Sequence, residues 1–406
     1  MIKELTKEKT SLPVGWKYKK LSELCKTGAG GTPLKSHKDY YVNGNIPWLR
    51  SGEVNNRSIT KSELFITEKG LNNSSAKLFP KNSVLVAMYG ATAGQVGILC
   101  FECSTNQAVC GIFPNDNIIP EFIYYKFLEG KEALVKQAVG GAQPNISQIK
   151  IKNTLIPDIS LGEQKQIVAI LDKAFAAIDT AKANAEQNLQ NAKELFESYL
   201  QNVFENKGDD WEEKRLDEVC EITSKLIDPK ESQFQELIHI GAGNIVSEKG
   251  TLVDLKTAKE ENLISGKFLF DESMVLYSKI RPYLKKIVKC NFKGLCSADI
   301  YPLVPFNDKM TQSFLYHLLS SYNFTEYAIE GSQRAGMPKV NRKHLFAYSF
   351  YCPTIKEQKE IVQKLNALSL KTKKLESIYT QKLVDLKEMK KSIIQKAFSG
   401  QLNTIN

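Results

Sequence analysis

The sequence predicts two tandem copies of a mixed α/β (α+β) globular domain, each followed by a long α-helix, with the two helices paired as an antiparallel coiled coil. Three observations lead there. The chain repeats itself at a fixed offset, each repeat closes on a heptad seam, and the segments in between mix strand and helix patterns.

The repeat is clearest in two phrases, "EQKQIVAILD" from Glu163 and "EQKEIVQKLN" from Glu357, which lie 194 residues apart (357 − 163). At that offset Pro144 falls on Pro338, and Ser198, Gln201 and Phe204 fall on Ser392, Gln395 and Phe398. One residue further along, "WKYKKLSELC" from Trp16 lies over "WEEKRLDEVC" from Trp211. So long a period is unsuited to a solenoid and fits a duplicated domain with a connecting element. The predicted order is a globular domain at 1–158, a helical spacer at 159–206, a second globular domain at 207–353 and a second spacer at 354–406.

In the first domain, "SVLVAMYG" and "QVGILCF" read as buried strands and "EFIYYKFLEGKEALVKQAV" as a helix with its aromatics turned to the core. The second domain repeats that order with "SMVLYSKI", "KKIVKC" and a helix over "TQSFLYHLLSSYNFTEYAI". Ser160 and Thr354 stand three residues before Glu163 and Glu357, the spacing of a capping box, so both long helices should start there.

Between Glu163 and Phe204 there is neither proline nor glycine. Ile167, Leu171, Ala174, Ile178, Ala181, Ala185, Asn188, Ala192, Leu195 and Tyr199 alternate four and three apart. The second seam follows at Ile361, Leu365, Leu368, Thr372, Leu375, Tyr379, Lys382, Leu386, Met389 and Ile393. Helices of this length need a partner for the stripe, and each is the simplest partner for the other. The first is net acidic and the second net basic, which favours pairing them together, with Asn188 and Lys382 as polar breaks that fix register.

The net charge of +10 is unevenly placed: 1–158 carry +7, 159–206 carry −3, 207–353 carry 0 and 354–406 carry +6. Within the neutral segment, 207–272 hold nine basic and sixteen acidic residues, against eleven and four in 273–353. Basic clusters such as "SKIRPYLKKIVK" are the electrostatic footprint of nucleic-acid binding, with a solvated surface as the ordinary alternative.

Other chemistries find little support. No apolar run approaches the roughly 18 residues of a membrane span, so a cytoplasmic location is expected. The eight cysteines and His37, His239, His317 and His344 lack metal spacing, and no metal site is expected. "PDISLGEQK" holds a nuclease-like Asp158, Glu163 and Lys165, but the second copy has Cys352 in place of the aspartate. "TGAGGT" at 27–32 lacks the preceding apolar strand of a nucleotide loop and reads as a turn. No phosphate-cradling loop and no methyltransferase tetrapeptide occurs, so no catalytic residue is expected.

Recognition groups are expected in the turn-rich segments. In the first domain these offer Lys35, Ser36, Arg50, Ser51, Tyr89, Thr92, Gln143 and Asn145, donors suited to base edges and phosphates. In the second they offer Asn244, Lys279, Arg281, Tyr283, Lys285, Arg334 and Lys339, with Arg281 as the leading guanine reader.

Taken as a set, "LPVGW", "GGTPLKS", "IPWLRSGEV", "GAQPNIS" and "IPDISLGEQKQIV" resemble the first half of the specificity subunit of type I restriction-modification systems. "YSKIRPYLKKIV", "GLCSADIYPL" and "CPTIKEQKEIV" resemble its second half, so the likeness covers essentially the whole chain. The resemblance implies two target-recognition domains, each reading one half of a bipartite asymmetric site on double-stranded DNA. It also implies that the paired helices set the gap and dock two methyltransferase subunits. Catalysis then belongs to partners: S-adenosylmethionine, ATP and magnesium would sit on the modification and restriction/translocase subunits, with no cofactor on this chain. A methylation-only assembly, or one with a fused methyltransferase-nuclease partner, stays open as an alternative. So does a coiled-coil scaffold that does not bind DNA.

Overall fold

A computed structural model of the chain describes residues 16–138, 145–223, 225–332 and 337–402. By its contacts the chain divides into two units, 1–184 with 382–406, and 185–381. Both long helices are continuous across that division, the central one over Leu161–Glu205 and the C-terminal one over Ile355–Phe398. Among the described residues no helix is long and apolar enough to cross a membrane.

The first unit contains a five-stranded sheet in the order Thr27–Ala29, Val109–Ile112, Val84–Ala87, Val96–Leu99, Ser58–Ile59. A four-stranded sheet runs Phe65–Ile66, Ile46–Leu49, Cys103–Thr105, Leu78–Phe79, and its central pair is parallel. Strand Val84–Ala87 reads as an unbroken apolar run because both its faces are buried. Val84 and Val86 join a core with Phe122, Tyr125 and Phe127 of the helix Pro120–Lys136, while Leu85 and Ala87 join Leu49, Phe79 and Leu99 behind the sheet. Ile167, Leu171 and Phe175 of the central helix enter the first of these cores together with Ile394, Ala397 and Phe398 of the C-terminal helix. The domain core and this part of the helix pair are therefore one hydrophobic body, in which a fully buried Phe122 is worth roughly 1.5–3 kcal/mol.

The second unit repeats the plan. Cys220–Glu221, Ile300–Pro305, Val275–Ser278 and Ile287–Lys289 make one sheet. Leu226–Ile227, Lys267–Phe270, Gly294–Ser297, Ile238–Ile240 and Lys256–Thr257 make the other, again with one parallel pair, Ile238–Ile240 beside Gly294–Ser297. Alternation holds here too, since Val275 and Tyr277 face Phe314 and Leu318 while Leu276 faces Phe270 and Val288. Phe204 of the central helix and Ile361 of the C-terminal helix pack on the core of Phe314 and Leu318. So in the second unit the end of the central helix meets the start of the C-terminal one, and in the first unit the start of the former meets the end of the latter. The pairing is antiparallel in each, with Lys390 ion-paired to Asp179 at 2.8 Å and standing 4.5 Å from the Phe175 ring.

The repeated phrases have a physical cause. Glu163 accepts from the Ser160 backbone N–H (3.1 Å) and hydroxyl (2.8 Å), and Glu357 does the same with Thr354 at 3.1 and 2.9 Å. The next residue matters more. Gln164, 2% exposed, donates to the carbonyls of Asn117 and Ile159 (3.0 Å each) and accepts from the Ile119 N–H at 3.0 Å. Gln358, fully buried, donates to Lys309 (2.8 Å) and Pro353 (3.0 Å) and accepts from the Thr311 N–H at 2.8 Å. Each glutamine thus clamps the first turn of a long helix to the loop that opens its own domain's core helix.

Four expectations need correction. The seam of the central helix slips in its second half: Asn188 is exposed and Leu195 is 51% exposed, while Ala192 stays buried and Phe196 and Leu200, off the predicted seam, turn inward. A straight helix drifts about 20° per heptad against a 3.5-residue repeat, so a strict heptad count leaves the buried stripe after several turns. For the same reason Leu375 (37%), Met389 (50%) and Lys382 lie exposed, and neither Asn188 nor Lys382 can fix register from within the seam. Ile167, Leu171, Ile178, Leu365 and Leu386 are buried, with Tyr199, Ile361, Leu368, Tyr379 and Ile393 half-buried. Third, the helix expected over "TQSFLYHLLSSYNFTEYAI" is two, Gln312–Ser320 and Tyr322–Glu330, because Ser321 takes an extended backbone and caps the second through the Phe324 N–H. Last, "TGAGGT" begins as the strand Thr27–Ala29. Its next glycine is needed for close approach, since a Cβ on Gly30 would stand 2.1 Å from the Thr105 hydroxyl.

Candidate nucleic-acid interface

In the first unit the predicted groups gather where several strands end together. Gly31 N–H donates to the Thr105 carbonyl (2.9 Å), Asn106 N–H to Leu49 (2.9 Å), and Met88 N–H to Ala108 (2.8 Å). These bonds bring the loops after Ala29, Leu49, Thr105 and Ala87 to one end of the two sheets. Trp48 adds a buried strut, its indole N–H donating to the Gly31 carbonyl at 3.0 Å.

Lys35 and Ser36 are exposed on the first of these loops. Arg50 is exposed and loosely paired with Glu63 at 3.4 Å, and Ser51 opens the short turn Ser51–Glu53. Tyr89, 39% exposed, bridges to Asn145 in an antiparallel pair, and the Thr92 hydroxyl donates to the Tyr89 carbonyl at 3.2 Å. The left-handed backbone at Gly90 (φ 69°) turns the chain sharply after Tyr89. Gln143 lies outside the described residues.

The second unit holds the matching bridge, between Ile280 and Lys339. Both bridges follow the same central strand of the first sheet, Val84–Ala87 in one copy and Val275–Ser278 in the other. The side chains differ. Lys279 and Lys339 share the carboxylate of Asp299, at 3.6 and 2.8 Å, and these cations hold its pKa below the usual range. Burial pushes the Lys279 ammonium down, with Lys339 adding repulsion. Two cations on one carboxylate leave one net positive charge at this spot.

Arg281 and Lys285 both adopt the left-handed region, at φ 48° and 44°, on either side of the turn Pro282–Leu284. A left-handed backbone costs a non-glycine residue of order 1 kcal/mol or more, so the surrounding structure must hold it. The Arg281 N–H donates to the Pro338 carbonyl at 2.9 Å, and the turn closes by Leu284 N–H to Arg281 (2.9 Å). The result displays Tyr283, 49% exposed, next to the exposed Arg281.

Two predicted residues are placed otherwise than their assignment requires. The Lys285 side chain is only 17% exposed and pairs with Glu197 of the central helix at 3.5 Å, tying the turn to the helix. Asn244 spends its amide locally, donating to Val253 (3.1 Å) and Asp254 (3.0 Å) and accepting from Gly241 N–H at 2.8 Å, with no donor left over for a base. Arg334 lies outside the described residues. Sequence reasoning missed Asp299, whose position within "GLCSADIYPL" carries no charge partner nearby in sequence.

Comparison with known proteins bears on the family and the fold. A model of the type I restriction modification DNA specificity domain matches residues 13–191 and again 208–384. The chain is 27% identical over 424 aligned residues to the EcoDI type I restriction enzyme specificity subunit of Escherichia coli, covering 96% of this chain and 89% of that one. It is 25% identical to the MjaIX specificity subunit of Methanocaldococcus jannaschii, covering 76% of each. Among solved structures, the HsdS subunit from Thermoanaerobacter tengcongensis superposes with a TM-score of 0.66 at 17% identity, over 97% of this chain and 99% of that one. A chain from a study of complex assembly and conformational transition in a type I R-M system superposes with a TM-score of 0.76 at 18% identity, over 96% and 99%.

Proposed function

The chain belongs to the type I restriction modification DNA specificity family, with DNA recognition by two tandem domains, and from that premise we propose how the labour is divided. Each domain reads one half of a bipartite, asymmetric site on double-stranded DNA. The paired helices set the gap between the halves and dock two methyltransferase subunits, through which restriction/translocase subunits join.

One observation supports this reading most. The same antiparallel bridge recurs in both copies, Tyr89 to Asn145 and Ile280 to Lys339, yet the exposed groups around it have diverged from tyrosine, threonine and asparagine to lysine, arginine and tyrosine. A shared scaffold with different edges suits two different half-sites. In the first domain Lys35, Ser36, Arg50, Ser51, Tyr89, Thr92 and Asn145 face DNA; in the second Arg281, Tyr283 and Lys339 do, with the part-buried Lys279 behind them on Asp299.

The chain itself is non-catalytic. S-adenosylmethionine, ATP and magnesium act on partner subunits, and the assembly works in the cytoplasm. Exchanging residues 1–158 for those of a relative tests this division. The expected outcome is a methylated site with one half replaced and the other half and the gap kept. Replacement of both halves at once would contradict it.

A further inference from the structure

Among the described residues the first domain carries an ion-paired contact that the second does not. Arg57 follows the recognition segment "IPWLRSGEV" and precedes the edge strand Ser58–Ile59. Its guanidinium grips Asp172 of the central helix in a two-pronged bond, 2.6 and 3.1 Å long. It also donates to the Tyr125 hydroxyl at 3.2 Å, and that hydroxyl donates in turn to Asp172. Three elements of one unit therefore meet at a single carboxylate: a recognition loop, the core helix Pro120–Lys136 and the central helix.

The loop has little freedom to move around this point. The Arg57 carbonyl accepts from the Ile98 N–H at 2.7 Å, and a Cβ on Gly97 would stand 2.6 Å from the Asn56 carbonyl. The rings of Tyr124 and Tyr125 lie 5.8 and 5.2 Å from the guanidinium carbon. A bidentate arginine–carboxylate pair fixes direction as well as distance, which a lysine in its place would not.

The second copy shows what the bracket would be without its charges. Aligning Phe122 with Phe314 places Tyr125 on His317, and the offset of the repeated phrases places Asp172 on Asn366. His317 is buried there with neither ring nitrogen in a well-formed hydrogen bond, so no ionised pair stands at these positions. Among the described residues strand Ser58–Ile59 has no counterpart there, and Ile287–Lys289 is the edge of its sheet. Among the described residues the strand and the arginine just before it belong to the first copy alone.

We propose that Arg57 is a positioning residue for DNA recognition: by locking onto Asp172 and Tyr125 it holds the loop of Arg50 and Ser51 in the orientation that discriminates bases in the first half-site alone. The inference rests on the two-half-site reading given above. As a source of stability the pair is modest, because both side chains are more than a third exposed. Its value lies in orientation, where small displacements weaken base contacts that depend on angle.

The test co-expresses the full chain with its methyltransferase subunit and maps methylated adenines for wild type, Arg57→Gln, Arg57→Lys, Asp172→Asn and Tyr125→Phe. Exchange of residues 1–158 identifies which half-site belongs to the first domain. The expected result for Arg57→Gln and for Asp172→Asn is about tenfold more methylation at sites carrying one mismatch in that half, as a loss of about 1.4 kcal/mol of discrimination would give. The other half and the gap stay unchanged, and the double variant is no worse than either single one, since both remove the same bond. Arg57→Lys keeps the charge without the fork and falls between.

A merely structural role would lower the melting temperature and leave the motif intact, and that outcome overturns the proposal. So does equal broadening of both halves. Should Arg57→Gln fail to accumulate, Tyr125→Phe removes only one hydroxyl and decides the question by the same criteria. A wild-type map without two separated halves would instead sink the underlying reading of function.

Discussion

Single residues account for how each domain is joined to its helix. Gln164 and Gln358 satisfy two carbonyls and one N–H apiece inside the protein, and removing such an amide strands three backbone groups at a cost of several kcal/mol. In the sequence these glutamines looked like part of a phrase, and nothing marked them as buried, since glutamine is ordinarily a surface residue. His317 makes the second domain sensitive to acid. Burial among Phe196, Tyr316 and the nearby Lys289 pushes its pKa down to about 4, and although Asn366 favours the charged ring, neither nitrogen has a well-formed hydrogen bond. The unfolded chain takes up this proton near pH 6.5, so stability is full above that value and falls as pH drops towards 4. The loss is on the order of 3 kcal/mol from this group alone. Urea unfolding at pH 7.5 and 5 should show it, and His317→Phe should flatten the difference, with a remainder from His239, whose pKa burial also lowers. An identical pH dependence in the variant would count against this assignment.

At the scale of elements, periodicity served well where an element stood alone and failed where two explanations competed. The unbroken apolar strands, the capped helix starts and the antiparallel pairing of the helices follow from local chemistry at Val84–Ala87, Ser160, Thr354 and Asp179 with Lys390. The inward face of a long helix does not, because a small drift per turn moved Leu195 and Leu375 into solvent. The segments proposed for recognition were legible as turns rich in donors, but which donors remain available was not. That depends on contacts distant in sequence, such as Lys285 with Glu197 or Lys339 with Asp299. If the helix pair is the ruler, removing 182–188 together with 377–383 shortens it by about 10 Å at 1.5 Å per residue. The gap in the methylated site should then contract by about three base pairs at 3.4 Å each, with both half-sites kept. A shortened protein that methylates the original gap would exclude the ruler role.

The whole molecule is a duplication whose halves kept their framework and changed their edges. Both copies keep the parallel strand pair, the glutamine clamp and the bridge after the central strand. They differ in charge and detail: a glycine turn with tyrosine in one, a left-handed arginine and lysine in the other, and, among the described residues, an arginine bracket in the first alone. Membership of the specificity family makes DNA recognition the work of these two domains. The most direct measurement is a genome-wide map of methylated adenines in cells that express this chain with its methyltransferase subunit, compared with cells lacking the chain. The account predicts one asymmetric motif of two short halves separated by a fixed unspecified gap, present only with the chain. Methylation that does not depend on the chain, or a single uninterrupted motif, would contradict it.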